Sequence, residues 1–243
     1  MISPNPALFP FHKSVRIIKE LSGLLAIHKP CGILSHPNCP TDASNSLLSC
    51  PYYLQKEVYS PGEGNVSLYL LNRLDNATSG LLLMSKDASL AYEVKKLFLK
   101  REVNKKYLAL VFGESRSLPL NRPILWRDEI TSKGKKCVAE TMVKVKAIFP
   151  KKFPATCLLT LSPKTGFTHQ LRIQCARRGL PIVGDVTYGD FELNKELLRN
   201  VENLPVRMFL HSNSVSFTLN RENGSPIVFE AEDPAPPEFY QLT

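Results

Sequence analysis

The chain has 243 residues, 43% of them hydrophobic, and carries 31 lysines and arginines against 22 acids, a net charge of +9. That apolar content excludes a disordered chain, and that length fills a core without disulfides or a structural metal. The basic excess points to a polyanionic partner, since each contacted phosphate releases counterions; a basic surface with no such partner is the plainer account of the same charge.

Met1 to Pro10 has neither a basic start nor a long apolar run, so no secretory leader is expected there. The longest apolar stretches, such as Gly80 to Met84, are far too short to span a bilayer. The expected location is cytoplasmic. Gly23 to His28 reads as a strand, closed by the turn signal Lys29-Pro30-Cys31-Gly32. Residues 36–65 are rich in Pro, Ser and Asn and read as an irregular excursion with one short helix near Leu47. Val66 to Leu71 and Leu81 to Met84 read as strands joined by the loop Asn72 to Gly80.

Asp87 is placed to cap a helix on which Leu90, Val94, Leu97 and Phe98 share a face. Lys106 to Phe112 returns as a strand. Val143, Val145 and Ala147 alternate with Lys144 and Lys146, the period of a half-buried strand, and Thr156 to Leu161 is a more buried one. Thr168 is read as the cap of a helix reaching Arg178, with Gly179 as its stop. Ser214 to Leu219 and Pro226 to Ala231 flank Asn223-Gly224, a hairpin turn. Many strands and few helices in irregular order predict an α+β fold with a mainly antiparallel sheet.

The six cysteines, at 31, 39, 50, 137, 157 and 175, form no Cys-x-x-Cys pair. Cys157 and Cys175 read as small core residues. The pairs His28-x-x-Cys31 and His36-x-x-Cys39 imitate half a zinc site. Pro30, Pro37 and Pro40 interrupt them, and no second ligand pair follows. No metal site is expected.

The informative segment is Asn72-Arg73-Leu74-Asp75-Asn76-Ala77-Thr78-Ser79-Gly80. Strands on either side pin such a loop, so it holds polar side chains in a fixed place. On spacing alone a surface turn with an Arg–Asp ion pair is the favoured reading. The segment resembles the His-Arg-Leu-Asp-x-x-Thr-Ser-Gly motif of the RluA-type pseudouridine synthases. Further matches follow in the same order. Ile27 to Pro37 is similar to that family's entry strand and Lys-Pro-x-Gly turn. Lys106-Tyr107-Leu108-Ala109-Leu110-Val111-Phe112-Gly113 resembles its Lys-x-Tyr-x-Ala-x-Val-x-Gly strand. Thr165-Gly166-Phe167-Thr168-His169-Gln170-Leu171-Arg172 resembles its Gly-Arg-Thr-His-Gln-Ile-Arg helix start. Pro181 to Asp185, Tyr188-Gly189 and Leu210-His211 continue it. The likeness runs from Leu24 to Phe239. Asn72 stands where the family has histidine, and Phe167 where it often has arginine; both bear on substrate fit more than on chemistry.

The resemblance implies a mixed, mainly antiparallel sheet in two halves around a central catalytic cleft, with helices on the outer faces. It implies isomerisation of uridine in RNA: the base is detached from its ribose, turned and rejoined through carbon. By resemblance Asp75 is the catalytic carboxylate. It attacks the ribose or the base ring, or removes a sugar proton. Tyr107 is the active-site tyrosine, able to stack on an extruded uracil. Arg172 pairs with Asp75, and Arg73 accompanies base extrusion and holds the RNA backbone. His169 and Gln170 are helix-start scaffold. The reaction is redox-neutral and needs no cofactor.

Basic residues cluster at Lys95, Lys96, Lys100 and Arg101; at Lys133, Lys135 and Lys136; at Lys151 and Lys152; and at Arg177 and Arg178. Each cluster alone is a solvated face. Lys135, Lys151 and Lys152, read as loop residues, are the expected RNA contacts. The expected partner is a structured ribosomal or transfer RNA, bound by a monomer, with no DNA and no membrane. Residues 1–14 are expected to be an extension and 15–243 the catalytic domain, with no separate N-terminal RNA-binding domain. A catalytically inactive RNA-binding module on the same fold is the competing reading. The set Asp75, Arg73, Tyr107 and Arg172 weighs against it. A phosphotransferase with an aspartyl nucleophile lacks the further acids that hold magnesium.

Overall fold

The computed structural model describes residues 9–62, 66–113, 122–132, 134–149, 154–201, 205–220 and 225–240. Its strands are β1 (Arg16–Leu21), β2 (Leu24–Lys29), β3 (Tyr52–Tyr53), β4 (Val58–Tyr59), β5 (Leu68–Leu70), β6 (Ser79–Ser85), β7 (Asn104–Phe112), β8 (Ile124–Ser132), β9 (Lys135–Phe149), β10 (Thr156–Pro163), β11 (Leu210–Leu219) and β12 (Ile227–Glu232). Three α-helices accompany them: α1 (Ala88–Lys100), α2 (Gln170–Ala176) and α3 (Phe191–Asn200). The pairs β1–β2, β2–β6, β3–β4, β4–β5, β5–β6, β7–β10, β9–β10 and β8–β9 are antiparallel. This is the expected α+β class with a mainly antiparallel sheet.

The chain divides into two units. The first comprises residues 1–103 and 215–233. Strands β3-β4-β5-β6 lie in that order, and β2 pairs with both β1 and β6. Every residue of β6 is buried. Asp87 caps α1 as expected, accepting from the Leu90 N–H at 2.6 Å. Leu90, Val94 and Leu97 of that helix enter a core with Leu24, Leu81, Leu83, Phe217 and Phe229. The second unit comprises residues 104–214 and 234–243, with strands in the order β7-β10-β9-β8. Its core gathers Leu108, Leu110, Phe112, Leu158, Phe209 and Phe239. Strand β11 contributes residues 210–214 to the second unit and 215–219 to the first.

Several local expectations are corrected. The excursion after His36 holds a 3-10 helix at Pro40–Asn45 that ends before Leu47, and the short strands β3 and β4. Thr168 is not the cap of α2. That position belongs to His169, in a left-handed conformation (φ 55°) with no side-chain cap bond. Lys135 and Lys136 open strand β9 rather than lie in a loop. They follow Gly134, whose φ of +75° makes the β8–β9 turn. The expected Asn223-Gly224 turn lies outside the described residues; β12 pairs with β11. Within the expected N-terminal extension, Phe9 is buried and Phe11 bridges to Leu48.

Candidate active site

Asp75 is half-buried on the loop between β5 and β6. Its backbone carbonyl accepts from the Thr78 N–H at 3.0 Å, which closes a tight turn over residues 75–78. The segment 29–36 clamps the loop almost residue by residue. Ser35 Oγ donates to the Leu74 carbonyl at 2.8 Å and accepts from the Leu74 N–H at 3.1 Å. Lys29 Nζ donates to the Asn76 carbonyl at 3.0 Å, and the Gly32 N–H donates to the same oxygen at 3.0 Å. Cys31 Sγ donates to the Ala77 carbonyl at 3.2 Å. On the other side Asn72 Oδ1 accepts from the Leu83 N–H at 2.8 Å. The residue that replaces the family histidine therefore ties the loop to β6. The carboxylate sits on backbone fixed from both flanks, the kind of support that holds a reacting group in place.

Lys29 is fully buried. Beyond Asn76, its ammonium donates to the carbonyls of Ile33 at 2.6 Å and Pro30 at 2.9 Å. Sequence reasoning treated this lysine only as part of a turn signal. The turn is built around its charge. Arg73 is exposed, and its Nη1 lies 3.2 Å from His36 Nε2. Of the histidines in the two His-x-x-Cys pairs, His28 bonds through Nδ1 to the Asp233 carboxylate, and His36 meets Arg73. Among the described residues no cluster of metal-ligating side chains occurs.

In the second unit, Tyr107 lies on β7 opposite Leu161 of β10 and is partly exposed. Lys105 stands two residues before it on the same strand face. The family spacing Lys-x-Tyr falls on Lys105 rather than Lys106. Burial holds the Lys105 ammonium below its ordinary pKa. The period-2 repeat Lys105, Tyr107, Ala109 was the signal that could have identified it.

Arg172 is buried in the first turn of α2. Its two-point contact is made to Asp185, with Nε 2.7 Å from Oδ2 and Nη2 2.7 Å from Oδ1. The pairing of Arg172 with Asp75 was expected from resemblance; the fork to Asp185 was not foreseen. Burial pushes the Asp185 carboxyl up, but the Arg172 guanidinium and the N–H groups of Tyr188 and Thr187 outweigh it and hold it below the usual carboxylate range. Two glycines make this turn possible. A Cβ on Gly184 would lie 1.8 Å from the Arg207 carbonyl oxygen, and one on Gly189 would lie 2.0 Å from that of Asp185. Gln170 is the scaffold residue expected: Oε1 accepts from Thr165 Oγ1 at 2.8 Å, and Nε2 donates to Thr141 Oγ1 at 3.0 Å. His169 contacts the Tyr188 hydroxyl at 3.2 Å.

Lys135 is exposed at the start of β9. Its neighbour Lys136 bridges to Glu129 at 2.9 Å. Lys151 and Lys152 lie outside the described residues. None of the six cysteines forms a disulfide, and Cys157 and Cys175 are fully buried as expected.

Known proteins resemble this chain along most of its length. Residues 23–177 match the family model described as RNA pseudouridylate synthase. Ribosomal large subunit pseudouridine synthase C of Buchnera aphidicola subsp. Acyrthosiphon pisum is 32% identical over 237 residues, which is 92% of this chain and 70% of that protein. The protein of the same name from Vibrio vulnificus is 36% identical over 210 residues, 83% of this chain and 61% of that one. Among solved structures, human RNA pseudouridylate synthase domain containing 1 shares the fold at a TM-score of 0.65 and 22% identity, covering 97% of this chain and 88% of its own. A family match over residues 23–177 and a relative 32% identical along 92% of the chain establish that this protein belongs to the RNA pseudouridylate synthase family and is an RNA pseudouridine synthase.

Proposed function

We propose that the chain isomerises uridine to pseudouridine in ribosomal RNA, with Asp75 as the catalytic carboxylate. The observation that carries this is the clamp on the Asp75 loop. Ser35, Lys29 and Cys31 bind Leu74, Asn76 and Ala77, the residues on either side of one half-buried acid. A surface turn needs no such support. The ribosomal target is suggested by the relatives, several of which are named for the large ribosomal subunit. Transfer RNA is the second candidate. Tyr107 and Arg172, carried by the second unit on motifs that match the family, complete the catalytic set. Arg73 engages the RNA backbone as the base leaves the stack, with Lys135, Lys151 and Lys152 as further contacts. Residues 15–243 act together as the catalytic domain, in the cytoplasm and as a monomer.

In the reaction the bond from N1 of uracil to C1′ of ribose breaks, and one from C5 to C1′ forms. The C5 proton is lost and N1 gains one. No electrons are exchanged with a cofactor. Each role open to Asp75 (attack on ribose, attack on base, or removal of a sugar proton) requires the ionised form.

The test is pseudouridine mapping in total RNA from cells with and without the gene, paired with purified protein acting on ribosomal RNA transcripts. Unaltered protein should form pseudouridine at a defined ribosomal position, and Asp75→Ala should form none while keeping fold and RNA binding. Turnover by purified Asp75→Ala would refute the assignment of the carboxylate. Binding without any pseudouridine from the unaltered chain would favour the inactive module.

A further inference from the structure

We infer that His36 is a positioning residue for the reaction, holding Arg73 in its RNA-ready orientation through a neutral imidazole of one tautomer. The inference rests on the reading of Arg73 as the arginine that engages RNA beside Asp75.

Both ring nitrogens of His36 are committed. Nδ1 lies 3.1 Å from the Pro37 carbonyl, which can only accept, so Nδ1 carries the hydrogen. Nε2 lies 3.2 Å from Arg73 Nη1, and a guanidinium can only donate. Nε2 must then offer its lone pair. Protonation of Nε2 would place two cationic donors face to face and end the contact.

The ring itself is held. His36 stacks on Tyr52 with centroids 4.8 Å apart and planes 6° apart. Tyr52 tilts against Tyr59 at 4.7 Å. Tyr59 is fully buried, and its hydroxyl donates to the Ser35 carbonyl at 3.0 Å. A column of three rings therefore runs from the core to an exposed guanidinium. Burial, with Glu57 adding and Arg73 opposing, pushes the Tyr52 phenol up to about 12, so it stays neutral beside the imidazole. Glu57, whose charge acts on Tyr52, pairs with Lys95 at 2.6 Å.

A free arginine gives up rotamer freedom when it is fixed. An arginine already held does not lose it again when RNA arrives. His36 thus acts through Arg73 and touches no reacting atom. Ser35 and His36 are consecutive, so one dipeptide fixes the backbone at Leu74 and the side chain just before it.

The test is a mutant cycle read in single-turnover pseudouridine formation, with melting temperature as control. His36→Phe keeps the stack on Tyr52 and removes the acceptor. His36→Gln loses the stack and keeps an acceptor. The rate at saturating enzyme should fall roughly tenfold in His36→Phe, the weight of one hydrogen bond to a charged group. His36→Gln should recover most of it. In an Arg73→Ala background the two substitutions should become equivalent. If that background leaves no turnover, the same cycle in RNA dissociation constants decides. Normal rates in His36→Phe, or an equal defect with and without Arg73, would overturn the inference. Should His36→Phe fail to fold, His36→Gln against His36→Ala in the same cycle decides, and equal rates in those two count against it. Failure of the functional reading looks different: the unaltered chain would then make no pseudouridine at all.

Discussion

The ammonium of Lys29 donates to the backbone carbonyl of Asn76, the residue after Asp75, at 3.0 Å, from a position with no solvent exposure. Two further carbonyls, of Pro30 and Ile33, share the same charge. Buried lysines are rare because desolvation of the ion is costly unless it is well bonded. Here three carbonyls accept from it, and one belongs to the Asp75 loop.

Lys29→Met should therefore destabilise the protein and loosen Asp75 together. Each stranded carbonyl costs about 1–3 kcal/mol where water does not reach it. For a chain of this size every kcal/mol lowers the melting temperature by about 2–4 °C. Urea unfolding and single-turnover rates on the same variant check both arms. An unchanged melting temperature would remove Lys29 as the organiser of the loop.

A second expectation concerns Arg172 and Asp185. Removing one member of a buried, two-point ion pair strands the other, typically at about 3–5 kcal/mol. Asp185→Asn and Arg172→Ala should each destabilise strongly, and the double variant should lose much less than their sum. A thermal-unfolding cycle measures that coupling. Arg172→Lys should not rescue, because lysine lacks the planar fork that meets both carboxylate oxygens. Additive losses would show that the pair is not an energetic unit.

The same pair sets an acid limit. The Asp185 carboxyl is held below its ordinary value in the folded protein. Its contribution is complete above the unfolded carboxylate value, near about pH 4, and is lost as pH falls through the lower folded value. The stability gap between unaltered protein and Asp185→Asn should therefore be constant from neutral pH down to that point and close below it. Unfolding curves from pH 7 to 2.5 read this directly. A gap that widened on acidification would reverse the sign and the argument.

RNA binding should weaken steeply with salt, given the net charge of +9. Lys135→Ala should reduce the slope of log affinity against log salt by about one unit, and neutralising Lys151 and Lys152 together by about two at most. Filter binding across a salt series gives these slopes. Affinity that stays flat from low to high salt would dismiss the phosphate contacts.

Legibility from the sequence followed the physics of each element. Strand β9 was visible because Val143 and Val145 are buried while Lys144 and Lys146 are exposed, a clean period of two. Helix α1 was visible because a capping aspartate precedes a single buried stripe. Strand β8 was missed: as the last strand in its order it fully buries only Trp126 and Ile130, four apart, with Arg127, Asp128 and Glu129 between them. Helix α3 was missed because Leu197 alone is fully buried, so no apolar stripe announces it. The cap of α2 went to His169 because a left-handed backbone, not a side-chain bond, makes that end. In the candidate site the Asp75 loop was legible as a motif. Its fastening was not. Lys29 to Asn76 and Ser35 to Leu74 are contacts between segments about 40 residues apart, and local pattern holds no trace of them.

The division of the chain has a consequence for how the protein is made. Residues 1–103 leave the ribosome without Phe217, Leu219, Ile227, Phe229 and Ala231, which fill the core of that same unit. Until the last of these emerges, Leu81, Leu83 and Val94 have no complete partner set, and nascent β-structure with exposed apolar surface is prone to aggregate. The second unit needs Phe239, later still. Neither unit can be completed during translation of its own first segment. Folding of the first unit therefore waits until Ala231 has been made, and a ribosome that stalls before that point releases a chain in which the Asp75 loop is present but its supporting core is not complete.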